Sequence, residues 1–176
     1  NSARWYPGGG IYRNVWLIKT NPVHVSQWGT FITTRSISNE AVIVDLKVPV
    51  DNNSDHDAEI KAITEIYSLD ANGNRTGDAV AVFKPANIFV KAGMKSEAES
   101  SLNLEHPKLW GPPPTQTPNL YLAITTLWQN DQQIDQYETR FGIRSLEFNP
   151  HKGIAVNGEY IKIKGVNQHH DLGALG

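Results

Sequence analysis

Val42, Val44, Leu46 and Val48 take alternate positions, with Ile43, Asp45 and Lys47 between them. Successive side chains of a strand point to opposite faces, so Ala41 to Val50 predicts a strand with one covered face. Comparable runs recur at Gly29 to Thr34, Ala58 to Leu69, Ala79 to Pro85, Ile88 to Lys91, Ser96 to Leu104, Leu120 to Trp128 and Ile134 to Glu138. Leu120 to Trp128 is the richest of them in β-branched and aromatic residues. Turn residues separate the runs. Asp51-Asn52-Asn53-Ser54-Asp55 reads as a turn or loop. Asp70-Ala71-Asn72-Gly73-Asn74 reads as a hairpin turn, because Asn-Gly accepts left-handed backbone angles at low cost. Asn130-Asp131 turns the chain again. Pro85 cannot donate to a ladder, which places its strand at an edge. His106-Pro107 opens a long loop that holds Pro112-Pro113-Pro114. No window carries a helical period of about 3.6 residues.

Strands at this spacing, with turns between them, predict an all-β protein built as a two-sheet antiparallel β-sandwich. Residues 22–140 supply about seven strands, enough for an immunoglobulin-like domain of about 100 residues. The flanks differ in character. Trp5-Tyr6-Pro7-Gly8-Gly9-Gly10 is aromatic and then glycine-rich, and Arg13 to Lys19 reads as a strand whose Val15, Trp16 and Leu17 seek cover. Gly153 to Val156 and Tyr160 to Lys164 flank Asn157-Gly158 and read as a small hairpin. Its second strand runs into a polar, histidine-dense segment. The division that follows is residues 1–21 as the terminal strand of a preceding domain with its linker, 22–144 as the sandwich, and 145–176 as a hairpin and strand leading onward.

The remaining composition narrows the function. The chain has 176 residues, 39% of them hydrophobic, in short runs that can build a core. A formal net charge of -2 gives no electrostatic reason to bind nucleic acid. No apolar run is long enough to span a bilayer as a helix, so no membrane partner is expected. There is no cysteine, which removes disulfides and thiolate chemistry and leaves the sheets to be held by apolar burial. Cytoplasmic, periplasmic and secreted placements all stay open. Asn1-Ser2-Ala3-Arg4 reads as the start of a piece cut from something longer.

Three segments carry a family pattern. Trp5-Tyr6-Pro7-Gly8-Gly9-Gly10-Ile11-Tyr12-Arg13-Asn14-Val15-Trp16-Leu17 resembles the end of the sugar-binding jelly-roll domain of the family 2 glycoside hydrolases. Phe141-Gly142-Ile143-Arg144 resembles that family's junction after its immunoglobulin-like domain. Asn157-Gly158, followed by Lys164-Gly165-Val166-Asn167-Gln168-His169-His170-Asp171, resembles its entry into a catalytic (β/α)8 barrel. Leu109-Trp110-Gly111 and Pro118-Asn119-Leu120-Tyr121 resemble the approach to the last long strands of the sandwich. The order and spacing agree, and the resemblance covers essentially the whole chain. It implies a piece of a retaining β-glycosidase, β-galactosidase first, with β-mannosidase and β-glucuronidase sharing the layout. The partners it implies are a β-linked galactoside or related saccharide, and the adjoining sugar-binding and barrel domains in cis.

Such enzymes use two carboxyl groups about 5–5.5 Å apart. By the resemblance both glutamates lie on later barrel strands, so no catalytic residue is assigned here, and Glu138, Glu147 and Glu159 read as surface or junction residues. His169 stands where the family places a sugar-contacting histidine. Asn167 would brace the loop, and His170 and Asp171 would orient it or line the pocket. In the isolated chain the same residues read as a polar tail with nothing to hold them. A metal is not assigned: adjacent residues are awkward ligands for one ion, and no third ligand stands at a characteristic spacing. No cofactor is called for, and a divalent or monovalent cation elsewhere in the parent stays open. Arg144, whose fork suits a carboxylate or backbone carbonyls, and Arg13 read as structural residues of the two domain junctions. Trp5, Trp28, Trp110 and Trp128 could offer a sugar-stacking platform, although packing is the commoner use of such residues. The rival reading is a non-catalytic carbohydrate-binding or adhesion sandwich. The length of the parent reading frame separates the two.

Overall fold

The structure, a computed structural model, describes residues 10–11 and 13–166. The chain divides into two compact units, Thr20–Ile161 and a second made of residues 1–19 and 162–176. Every regular element among the described residues is a strand.

The first unit is an immunoglobulin-like β-sandwich with a small meander after it. Its first sheet is centred on β3 (Ala41–Asn52), which has β7 (Lys95–Glu105) on one edge. The other edge is shared by two short strands. β2 (Phe31–Arg35) pairs with Ile43 to Lys47, and β1 (Val23–Val25) pairs with Val50 to Asn52. The second sheet repeats this plan. β4 (Ala58–Leu69) has β8 (Tyr121–Gln129) on one edge, with β9 (Gln132–Phe141) beyond it. Its other edge is shared by β5 (Arg75–Val82) and β6 (Ala86–Val90). Phe83-Lys84-Pro85 separates these two. Phe83 is buried and its N–H donates to the Thr64 carbonyl at 2.9 Å, while Pro85 has no N–H to give.

The predicted alternation of β3 is real. Val42, Val44, Leu46, Val48 and Val50 are all at most 3% exposed. They face Ala58, Ile60, Ala62 and Ile66 of β4, Leu127 of β8, and Phe83, in one apolar core. The polar atoms inside it are paired. Thr64 and Thr125 sit opposite each other with their hydroxyls 2.8 Å apart. The fully buried Asn52 amide donates to the carbonyls of His56 (2.8 Å) and Val90 (3.0 Å), tying the end of β3 to β6. Along the side of the sandwich, Asp135 of β9 accepts the Val25 N–H at 2.8 Å and Thr139 meets Thr30 at 2.6 Å. Gly29 is needed there. Its φ is +63°, and a Cβ would lie 1.9 Å from the Tyr137 ring.

Several predicted elements differ in extent. β1 joins a sequence stretch with no strand predicted. β3 runs on through Asp51 and Asn52, because β1 and β7 pair with it there. The tail's hairpin across Asn157-Gly158 is present, as β11 (Gly153–Val156) and β12 (Glu159–Ile161), and its third strand, β10 (Leu146–Asn149), precedes the hairpin where a strand was expected to follow it. Tyr160 to Lys164 was expected to continue as a strand. β12 stops at Ile161, which pairs with Ile154, and β11 begins only one residue before that. The compact unit thus includes the meander and extends past residue 144.

In the second unit, the described residues 10–11, 13–19 and 162–166 contain no strand. The strand expected at Arg13 to Lys19 does not form. A strand depends on ladder bonds to a neighbour, and the described residues of this unit offer none. Leu17 is 99% and Trp16 80% exposed.

Across the first sheet, His24, Asp51 and Lys95 stand in one register row. Asp51 accepts a hydrogen bond from Ser26 and an ion pair from Lys95 at 3.1 Å. Burial pushes its pKa up, but the Ser26 and Lys95 bonds outweigh burial and hold it below the ordinary aspartate value. A depressed aspartate stabilises the fold above its unfolded pKa, near 3.9, and that contribution is lost as pH falls through the lower folded value. Urea midpoints at pH 7 and pH 3 should therefore show a smaller acid loss in Asp51→Asn than in the wild type. Equal losses would show that the row contributes nothing to acid sensitivity.

Candidate functional site

Four of the residues singled out in the sequence, Asn167, His169, His170 and Asp171, lie outside the described residues. Arg13 is exposed in a bend of its own unit. Arg144 lies just after the fully buried Ile143, and its guanidinium carbon sits 4.9 Å from the centroid of the Trp110 ring. A guanidinium over an indole face is a cation–π contact. Among the described residues, Arg144 thus has a ring and not a carboxylate as its partner.

Trp110 belongs to a polar clamp that binds the 106–119 loop to the meander. Its N–H donates to the Ile143 carbonyl at 2.7 Å, and Gly111 donates to Thr117 at 2.9 Å. The Asn157 amide nitrogen donates to the Trp110 carbonyl and to Gln116 Oε1, both at 2.9 Å. Asn157 Oδ1 accepts the Ser145 N–H at 3.0 Å. Gln116 Nε2 in turn donates to the Val156 carbonyl and to Glu159, both at 2.9 Å. Two side-chain amides thereby join the loop, the Phe141–Arg144 junction and the β11–β12 turn.

Local backbone chemistry makes this possible. Asn157 and Gly158 both have positive φ, +53° and +81°, in the two-residue turn between Val156 and Glu159. Asn tolerates that region because its side chain bonds locally. A Cβ on Gly111 would lie 2.0 Å from Gln116, and one on Gly142 would lie 2.8 Å from the Trp110 Cβ. Both glycines allow close approach. The sequence marks Asn157-Gly158 as a turn, but nothing in it shows that the Asn157 side chain reaches Trp110 or that Gln116 meets it. Those partners are 47 and 41 residues away.

The clamp carries little charge chemistry. Glu138, Glu147 and Glu159 are exposed. Glu147 accepts the Tyr160 hydroxyl at 2.9 Å and thereby raises the tyrosine pKa. Among the described residues no three His, Asp or Glu side chains converge as a metal site. The arrangement can fix the exit direction of the chain at Ile161, and its amides are all engaged with protein groups.

The first unit is thus an antiparallel immunoglobulin-like sandwich followed by a clamped junction, all-β among its described residues. Residues 23–144 match the family described as glycosyl hydrolases family 2. The chain belongs to that family. It is 36% identical over 99% of its length to the β-galactosidase BoGH2A of Bacteroides ovatus, and covers 19% of that protein. It is 29% identical over 96% of its length to a β-glucuronidase of Formosa agariphila, and covers 17% of it. A solved family 2 glycosyl hydrolase from Bacteroides cellulosilyticus superposes with a TM-score of 0.81 at 34% identity, over 98% of this chain and 22% of the other. The chain thus spans about a fifth of the length of these relatives.

The clamp predicts a stability effect far from the core. Asn157→Ala removes its side-chain hydrogen bonds and puts a β-carbon in the left-handed region, a loss of about 2–4 kcal/mol. Asn157→Gly keeps the turn and should lose about half as much. Urea unfolding followed by tryptophan fluorescence checks this. Losses under about 0.5 kcal/mol for both variants would mean that the amides are merely adjacent.

Proposed function

We propose that the chain is the central sandwich, with its flanking segments, of a retaining β-glycosidase that hydrolyses terminal β-linked galactosides. The observation that carries this reading is the match to a β-galactosidase along 99% of the chain. The role of the chain itself is structural. It holds the clamp that directs residues 162 onward into a barrel entry, where the polar run Asn167-Gln168-His169-His170-Asp171 sits at the head of the catalytic domain. Residues 1–21 close the preceding sugar-binding domain. Arg13 and Arg144 serve the two junctions.

In the parent protein His169 contacts the sugar, Asn167 braces its loop, and His170 and Asp171 line the pocket. The bond is broken by two carboxyl groups contributed from later barrel strands, one as acid/base and one as nucleophile. β-Glucuronidase activity is the second reading, because the relatives of that name also align along almost the whole chain. The two substrates differ in the configuration at C4 and at C6, where the glucuronide carries a carboxylate, so a cationic partner in the parent's pocket would favour the glucuronide.

The 176-residue chain should release no nitrophenol from p-nitrophenyl β-galactoside above background. The parent should turn it over with a kcat/KM at least about tenfold above that for the β-glucuronide. His169→Ala in the parent should lower both kcat and kcat/KM by roughly ten- to a hundred-fold, the worth of one well-aligned hydrogen bond. Turnover by the 176-residue chain, preference for the glucuronide, or wild-type constants for His169→Ala would each remove the corresponding part of this reading.

A further inference from the structure

The outer faces of the two sheets treat their charged side chains differently. On the first sheet they pair with one another. Arg35 holds Asp45 at 2.8 Å, and Lys47 reaches Glu99 at 2.5 Å and Glu97 at 3.5 Å. On the second sheet a group of polar side chains stays unpaired. Glu59, Lys61, Asn87, Asn130 and Asp131 form no side-chain hydrogen bond or ion pair with any described residue. Glu59 and Lys61 are two apart on β4 and so share a face, yet they do not pair.

These groups surround a cleft of about 510 Å³ at one end of the sheet, within the size range of small-ligand sites. Register explains its shape. Asn87, Lys61 and Trp128 stand in one row across β6, β4 and β8, and Phe89 stands opposite Glu59 in the next. Partners in register share a face, so Phe89 and Trp128 form walls on either side of a polar β4 floor. Their strands are about 9–10 Å apart, twice the usual spacing. Phe89 is 53% exposed. Trp128 donates its Nε1–H to Thr126 Oγ1, two residues back on the same face, at 2.9 Å. That bond lays the indole along the strand. The two-residue β8–β9 turn, Asn130 and Asp131, has positive φ at both positions (+50° and +61°) and brings its side chains to the rim.

We infer that this cleft is a saccharide-binding site on the sandwich, outside the barrel entry. A pyranose has an apolar C–H face for an aromatic ring and hydroxyls that both donate and accept. The cleft supplies both complements. Trp128 and Phe89 offer apolar faces. Lys61 donates, Glu59 and Asp131 accept, and the amides of Asn87 and Asn130 do both. Two carboxylates disfavour an anionic ligand, and Lys61 disfavours a cationic one. An extended peptide lying on the cleft floor would need a free strand edge there for main-chain pairing. β4 is paired along both edges here, to β6 and to β8. The ligand class is therefore a neutral oligosaccharide.

The test is an amide and indole N–H titration of the 176-residue chain by NMR with cellotetraose and, separately, β-1,4-galactotetraose. With at least one of them, the Trp128 indole and the Asn87 and Asn130 side-chain amides should shift saturably, with a Kd on the order of millimolar. Trp128→Ala and the exposed variant Lys61→Ala should each weaken binding about tenfold or more while keeping the backbone spectrum dispersed. An unchanged spectrum with both sugars would overturn the site. So would shifts that centre on Trp28 or Trp110, or that survive both substitutions. Concentration-dependent self-association through Phe89, without a sugar response, would make the cleft a contact between copies and overturn it too. The readout is binding without turnover, so failure of the galactosidase reading would not imitate any of these results.

Discussion

Five inward positions of β3, Val42 through Val50, carry the sandwich. They form a continuous apolar row at most 3% exposed, with β1, β2 and β7 paired to its backbone and the inward residues of the second sheet packed in the same core. β1, β2 and β7 take their register from β3. β4 and β8 supply the facing wall. With no cysteine in the chain, no covalent link substitutes for that burial. Each fully buried Val or Ile side chain contributes about 1.5–3 kcal/mol relative to exposure. A one-residue slip of β3 would turn Asp45 and Lys47 inward, so the row also sets register.

The two sheets solve the same problem at their edges. A long central strand would leave a long unpaired edge, which invites pairing with other chains. Here one edge of each central strand is covered by two short strands with a break between them, and the other by one long strand. Phe83-Lys84-Pro85 makes one break, its phenylalanine directed into the core and its proline unable to bond. Ser26 through Thr30 makes the other, turning through Trp28 and Gly29 at positive φ. The same end-to-end economy appears at the exit. The meander is too small to be stable by itself, and Gln116 and Asn157 attach it to the loop before β8 through neutral amide bonds. Those bonds make the exit direction a property of the sandwich.

What could be read from the chain follows from the range of each interaction. Ala58 to Leu69 was legible to the residue, because alternation and turn chemistry are local. So was the turn at Asn157-Gly158. β1 was not, since three residues carry no period and its pairing with Val50 to Asn52 is a tertiary fact. Arg13 to Lys19 shows the converse: an apolar, strand-like run forms no strand where the described residues of its unit supply no ladder bonds. The clamp was invisible because amide side chains bond with equal ease to water and to each other, so nothing in the residue types marks Gln116. The cleft was half legible. Trp128 could be named as a stacking residue, but its companions Phe89, Lys61 and Asn87 are assembled only by strand register. Asn167, His169, His170 and Asp171 rest on the family pattern alone.

If the clamp makes the meander part of the sandwich, the two must open together. Native-state hydrogen exchange on the 176-residue chain measures this directly. Amides of Ile154 to Val156 should exchange with an opening free energy within about 1 kcal/mol of the most protected amides of β4 and β8. Opening several kcal/mol easier, with the sandwich still closed, would show that the meander is a separate unit and that the clamp does not set the direction of the chain.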